Sequence, residues 1–145
     1  VTRVWQKEAS ATDAGATVKV AMSDYAKGDL TVVAYRGPNP VLRSSASAAE
    51  TTSRTAHTTP GVQGVAGAWL VSYWADKTSA TTAWTAPTGQ TRRIDSYGTG
   101  AGRISTLLTD GAAAAGTGAK GSLVATANAP SSQATMWSFL IGPGG

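Results

Sequence analysis

The 145-residue chain contains no cysteine and a single histidine, His57. The lack of cysteine excludes disulfides, thiolate metal sites and a cysteine nucleophile. Any histidine-based triad or zinc site would have to use His57, whose neighbours, RTAHTTPG, include hydroxyls but no carboxylate. A Gly-x-Ser-x-Gly nucleophile motif is also absent from the sequence. We therefore predict that the protein is not an enzyme, and we interpret His57 as an ordinary residue at a strand end.

Charge is also scarce, since Asp, Glu, Lys and Arg make up only 14% of the chain. The acidic residues are scattered singly and offer neither a glycosidase carboxylate pair nor an Asp-x-Asp-x-Asp-Gly calcium loop. Calcium binding by dispersed loop oxygens, for example near Asp76 or Asp110, is left open. The net charge of +4 comes from basic residues spread along the chain, of which only Arg92 and Arg93 are adjacent. We predict no metal site, no cofactor and no specific nucleic-acid partner.

Long apolar runs are missing as well. No segment approaches the about 20 residues needed to cross a bilayer, and no signal peptide is recognisable. Because the chain opens with Val1 rather than Met, we expect a processed or excised piece of something longer. The letters GTGAKG at 116–121 match a dinucleotide fingerprint but lack the strand before and the helix after that such a site needs. We predict a turn there, and a loop for DGAAAAGTG at 110–118.

Short runs rich in β-forming residues recur along the chain, separated by Gly, Pro, Asp and Asn. This rhythm predicts an all-β protein: an antiparallel, jelly-roll-like β-sandwich of about 8 to 10 strands. We expect one domain over 1–141, a tail or linker at 142–145, and all six prolines between strands. The predicted strands are 2–8, 16–23, 29–36, 48–57, 67–75, 81–86, 91–97, 102–109, 121–127 and 133–141.

Residues 68–85, AWLVSYWADKTSATTAWT, contain three of the five tryptophans. A hairpin that pairs Ala75 with Thr81 would place Trp74 and Trp84 on one face as diagonal neighbours. In one interpretation these rings belong to the sandwich core, as large aromatic residues usually do. In the other they form an exposed platform for sugar rings or for a protein partner. The candidate ligand-binding residues are Trp74, Trp84, Tyr73 and Tyr97.

Several segments of the chain together resemble a known type of module. These segments are VTRVWQ, ATDAGATVKVAMS, LTVVAYRG, AAETTSRTAHTTP, AWLVSYWADKTS, GRISTLLTD and ATMWSFLI. They are similar to β-sandwich modules of secreted multi-domain bacterial surface proteins, where PKD or fibronectin-type domains accompany them, and of phage tail or virion proteins. The resemblance covers nearly the whole chain. It implies an extracellular location, on a virion or bacterial cell surface, a structural or adhesive role and no catalytic residue.

Two functions follow from these expectations. The first is a non-catalytic structural or adhesion module of a virion or extracellular surface assembly. Such a module would contact protein subunits or surface glycan through loops and an aromatic face, and a second copy of the chain is among the candidate partners. The alternative is a free-standing carbohydrate-binding module of a secreted enzyme, with the candidate aromatic residues stacked on sugars.

Overall fold

The computed structural model describes residues 1–37, 39–111 and 116–144. Their regular structure consists of strands, apart from one 3-10 turn at Ala11–Asp13, and they include no helix of the length and apolarity that a membrane crossing requires. The all-β, antiparallel fold predicted from the sequence is confirmed. The strands are β1 (Pro40–Glu50), β2 (Arg54–Thr58), β3 (Gly61–Gly64), β4 (Trp69–Lys77), β5 (Trp84–Thr85), β6 (Gln90–Tyr97), β7 (Ile104–Gly111), β8 (Gly118–Gly121), β9 (Val124–Ser131) and β10 (Ala134–Pro143).

The strands form three sheets with a nested pattern of pairing. A five-stranded sheet has the order β1-β10-β4-β7-β6, a three-stranded sheet the order β2-β9-β5, and β3 pairs with β8. The pairs β1–β10, β2–β9, β3–β8 and β4–β7 enclose one another, as in one long hairpin that has been rolled up. This order agrees with jelly-roll-like connectivity. All of it lies between Pro40 and Pro143, so residues 1–37, which we call the arm, are additional to the rolled unit.

The main core lies between the five-stranded and three-stranded sheets. Along β9 every second side chain is a buried alanine, at Ala125, Ala127 and Ala129. These small residues leave room for the large indoles of Trp74 and Trp84, which pack in the same cluster. The buried side chains of β9 thus lie on one face of the strand, and that face packs into the core.

The opposite face of the five-stranded sheet, which we call the outer face, is also apolar. Val71, Leu108 and Phe139 form a cluster there, and the rings of Trp137 and Phe139 stack at 5.4 Å. The arm lies across this face: the Thr106 hydroxyl donates to Asp29 Oδ2 at 3.2 Å. A sheet that is apolar on both faces needs a cover on each, and the arm supplies part of the outer one.

The strands predicted at 2–8, 16–23 and 29–36 are wrong, because the arm forms no strand in the structure. Among the described residues, the arm has only two backbone–backbone hydrogen bonds, from Asp13 N to Ser10 O and from Ala16 N to Asp13 O. The runs do alternate as strands do. A strand, however, also needs a neighbour to pair with, and strand propensity measures fit to a sheet surface rather than a backbone preference.

The boundaries elsewhere need smaller corrections. The predicted strand 48–57 joins the end of β1 to most of β2. Three segments were not predicted as strands: β3, β8 and the first part of β1. Their Ser, Ala and Gly residues are weak strand formers. β5 is only two residues long. Of the predicted loop 110–118, residues 110 and 111 belong to β7 and Gly118 begins β8, whereas 112–115 lie outside the described residues.

Three prolines lie in strands, contrary to the prediction that all fall between them. Pro40 begins β1, Pro130 lies in β9, and Pro143 ends β10, which therefore continues into the predicted tail. Proline is tolerated where its missing N–H removes no ladder bond, as at a strand end. Pro130 lies at the register irregularity between β9 and β2, where no residue is paired with it.

Candidate functional site

Trp74 and Trp84 are buried in the core, with 0% and 3% of their surface exposed. The hypothesis that they form an exposed platform is thereby corrected, and the core interpretation holds for both. Trp74 Nε1 donates to the His57 carbonyl at 2.9 Å, and Trp84 Nε1 donates to the Ser105 hydroxyl at 3.0 Å. Both indole N–H groups are therefore satisfied inside the protein, as buried indoles usually are.

The predicted hairpin between these two tryptophans does not form. β4 pairs with β10 and β7, while β5 pairs with β9 in the other sheet. The connection between β4 and β5 is held instead by Asp76, whose carboxylate accepts the hydroxyls of Thr81 at 2.6 Å and Ser105 at 2.5 Å. The chain thus crosses from one sheet to the other, which brings the two indoles together from opposite sides of the core.

Tyr73 and Tyr97 lie on opposite faces of the five-stranded sheet. Tyr73 packs against the outer-face cluster, where burial and the nearby charge of Asp29 raise the pKa of its hydroxyl. Tyr97 borders the core and accepts a hydrogen bond from the Trp84 backbone N–H at 3.1 Å while donating to Asp95 at 3.0 Å. Burial, together with this bond to Asp95, raises the Tyr97 pKa. The four candidate residues therefore do not form one ligand surface.

His57 is fully buried and paired with a carboxylate that the sequence analysis missed. Its Nδ1 lies 2.6 Å from Glu50 Oε2, and Arg54 Nη1 lies 3.7 Å from the other carboxylate oxygen. The His57 Nε2 has no hydrogen-bond partner among the described residues, and its ring lies 5.6 Å from that of Trp84. Glu50 ends β1 and His57 lies in β2, so the pair ties two sheets together. The seven-residue spacing across a turn is too general a signal to reveal it.

The described residues contain no group of three or more His, Cys, Asp or Glu side chains placed to hold a metal ion. Asp76 and Asp110, considered as loop ligands for calcium, lie instead within β4 and β7. Both are buried, and each is engaged by protein side chains, Asp76 by hydroxyls and Asp110 by Arg93. Their oxygens are therefore not arranged as an open loop site.

A cavity of about 300 Å³ lies at one end of the outer face, between the arm and the sheet. Asp110 forms its most buried polar group: Arg93 Nε donates to Oδ2 at 2.8 Å, and the Tyr35 hydroxyl donates to the same oxygen at 3.3 Å. Burial, followed by the charge of Asp110, raises the pKa of Tyr35. The lining residues that matter for its chemistry are Tyr35, Arg36, Trp69, Arg93, Asp110 and Ile141.

This cavity has no signature in the sequence. Its residues come from the arm and from five different strands, so no local motif marks them. Trp69 was placed correctly on the face opposite Trp74, and at 38% it is one of the more exposed indoles. That alternation was the one available signal, although it could not show which other side chains lie beside the ring.

A second unusual feature is the arm itself. Large apolar side chains of the arm are exposed, including Val18 at 56%, Val20 at 43% and Met22 at 60%. The free edges of the five-stranded sheet also differ: β6 carries Arg92, Arg93 and Asp95, whereas residues 44–49 of β1 are only serine and alanine. Charges on an edge strand discourage strand addition, and small uncharged residues do not.

Comparisons with protein-family models, with curated proteins and with solved structures find no match to this chain. The resemblance to bacterial surface and virion modules therefore stays a prediction, and function has to be argued from the arm, the β1 edge and the cavity.

Proposed function

We propose that the chain is a non-catalytic structural module that assembles by strand addition, with the arm of one copy pairing along the β1 edge of another. The observation that carries this proposal is the extended arm, whose backbone makes almost no hydrogen bonds within the described chain. The resemblance implies a structural or adhesive role, and the partner in this proposal is a second copy of the chain.

The arm supports the proposal as a strand donor. In residues 16–23 the apolar side chains Val18, Val20 and Met22 alternate with Thr17, Lys19 and Ala21. Alternation of this kind suits a strand that adds to a sheet, where main-chain bonds give affinity and alternate side chains give register. The exposed valines and Met22 leave a large apolar area for a partner to cover.

The β1 edge supports the proposal as the acceptor. β1 is eleven residues long, and its described ladder is with β10 only, so a second row of backbone groups faces outward. Residues 44–49 of β1 carry neither a charge nor a proline, and edge segments of that kind are the ones that accept another strand. Arm and edge occur in the same chain but do not pair within it, which favours exchange between copies.

We also propose, on the resemblance alone, that the assembly is extracellular, on a virion or a bacterial surface. The alternative function is that of a carbohydrate-binding module. Trp74 and Trp84 cannot be its sugar-binding surface, because both are buried. One observation still favours sugar binding, namely the cavity beside Trp69.

Sedimentation velocity over a wide concentration range tests the assembly proposal. We expect concentration-dependent association of the wild-type chain. Val20→Pro, which removes a donor N–H from the arm, and Ser45→Lys, which places a charge on the β1 edge, should each weaken association at least about tenfold.

Val124→Lys is the matched control, since Val124 is 46% exposed, close to the 43% of Val20, but lies on β9 away from both surfaces. It should leave association unchanged. A wild-type chain that stays monomeric, or association that resists both variants, would overturn the proposal.

A further inference from the structure

We propose that the cavity between Tyr35, Trp69 and Asp110 binds the ring of a neutral pyranose sugar. This proposal does not depend on assembly through the arm and the β1 edge, because the cavity is lined within one chain.

One oxygen of the Asp110 carboxylate lacks a hydrogen bond within the described part of the chain. Asp110 is 2% exposed, and both its described partners, Arg93 and Tyr35, donate to Oδ2. Its other oxygen, Oδ1, is buried and has no hydrogen-bond partner among the described residues. Buried acceptors in native proteins nearly always have a donor. Asp110 lines the cavity, so a ligand hydroxyl that displaces the groups covering Oδ1 would supply that donor.

The charges that line the cavity favour a neutral ligand. The Arg93 guanidinium already offsets the Asp110 carboxylate, and Arg36 adds another positive charge to the cavity lining. A cationic ligand would be repelled by both arginines. An anionic group would be attracted by Arg36, but it has no proton to donate to Asp110 and would meet that buried carboxylate at short range. A neutral group with O–H donors avoids both penalties and can also accept from Arg36 or Arg93.

The cavity has the size and the two-sided lining that suit a single sugar ring. The indole of Trp69, 38% exposed, and the side chain of Ile141 give the cavity an apolar side next to its polar one. A pyranose has the same two sides, since its C–H groups can stack on an aromatic face while its hydroxyls make hydrogen bonds. A volume of about 300 Å³ is at the lower end of the usual range for ligand sites, which favours a single ring.

Isothermal titration calorimetry with single-ring probes tests the proposal. The neutral probes are methyl β-glucopyranoside, methyl α-mannopyranoside, xylose and N-acetylglucosamine, and the charged comparators are glucuronate and glucosamine. We expect saturable binding of at least one neutral probe at millimolar concentration, with weaker binding of both charged sugars.

Variants at Trp69 identify the site. We expect Trp69→Ala to weaken binding at least about tenfold and Trp69→Phe to weaken it less, because the smaller ring still stacks. Trp5→Ala, which removes an exposed indole from the arm, is the matched control and should bind as the wild type does. Near-ultraviolet circular dichroism shows whether each variant is folded, and Trp69→Phe keeps the test decisive should Trp69→Ala not fold.

Three results would overturn the proposal: no binding of any neutral probe, binding that Trp69→Ala and Trp69→Phe leave unchanged, or a preference for glucuronate or glucosamine. Loss of assembly in the sedimentation experiment would leave this binding intact, so the two proposals fail separately.

Discussion

The hydroxyl of Ser105 links Trp84 to Asp76: Trp84 Nε1 donates to Ser105 Oγ at 3.0 Å, and Ser105 Oγ donates to Asp76 Oδ1 at 2.5 Å. All three side chains are buried. The chain of bonds connects β5 in one sheet to β7 and β4 in the other, so a small hydroxyl fixes the position of one of the two core indoles.

Ser105→Ala should lower the free energy of unfolding by about 2 to 4 kcal/mol, because it leaves both the Trp84 N–H and one Asp76 oxygen buried without a partner. Ser72→Ala is a close control, since Ser72 is equally buried but its hydroxyl has no partner among the described residues. That change should be neutral or slightly stabilising. Urea unfolding of both variants measures the difference, and equal effects would refute the bridging role of Ser105.

The Glu50–His57 contact should contribute more to the free energy of unfolding than the neighbouring ion pair of Glu50 with Arg54. Glu50→Ala removes the partner of a buried ring nitrogen and should cost about 1 to 3 kcal/mol. Arg54→Ala removes only a partly exposed ion pair at 3.7 Å and should cost less than about 0.5 kcal/mol. Thermal unfolding of the two variants compares them. A larger loss for Arg54→Ala would contradict the assignment.

Alanine substitutions at Gly121 and Gly118, the two ends of β8, should distinguish the cost of backbone strain from the cost of steric clash. Both glycines have positive φ angles, +88° and +100°. A Cβ at Gly118 would meet open space, so Gly118→Ala should cost about 1 to 2 kcal/mol of strain alone. A Cβ at Gly121 would press against the Pro60 carbonyl and lie 2.8 Å from the Ser138 hydroxyl. Gly121→Ala should therefore cost about 3 to 5 kcal/mol, and chemical denaturation should rank the two in this order.

Stability should fall at high pH, and buried Tyr73 should account for part of the loss. Burial raises the pKa of its hydroxyl in the folded chain, while a tyrosine in the unfolded chain ionises near pH 10. The stabilising contribution of the neutral hydroxyl is therefore fully present below about pH 10 and is lost as the pH rises towards the folded pKa. Tyr73→Phe should reduce the loss of stability between pH 9 and about pH 11, as measured by urea unfolding.

Tyr25→Phe serves as the control for that experiment, because Tyr25 is 96% exposed. It should leave the free energy of unfolding at pH 9 nearly unchanged. If Tyr73→Phe keeps the full alkaline decline of the wild type, burial of Tyr73 is not its cause.

Alternation in the sequence was sufficient to predict the fold class and the main strands of the five-stranded sheet. It placed Trp69 and Trp74 on opposite faces of β4, as found. It failed for β1, whose serines and alanines carry little strand signal, and for residues 16–23, whose strong signal finds no partner within the described chain. Local pattern reports which residues suit a sheet, but pairing depends on contacts that are distant in sequence.

The candidate site was harder to predict for the same reason. A hairpin was the simplest connection that would bring Trp74 and Trp84 together. In the structure the chain instead passes to the other sheet after β4, and the hydrogen bonds of Asp76 to Thr81 and Ser105 stabilise this connection. The cavity depends on Tyr35 and Asp110, which are 75 residues apart. Sequence spacing cannot predict a contact between residues so far apart, because the contact exists only once the arm lies on the folded sheet.

The nested pairing also determines the order in which the strands can pair during folding. β10 lies between β1 and β4 in the five-stranded sheet, although in the sequence it follows both of them. Contacts between segments so far apart close slowly, because the entropy of a long loop has to be lost before they form. Until residues 134–143 leave the ribosome, β1 and β4 both lack the strand that they share, and the serine and alanine backbone of β1 stays open on both sides.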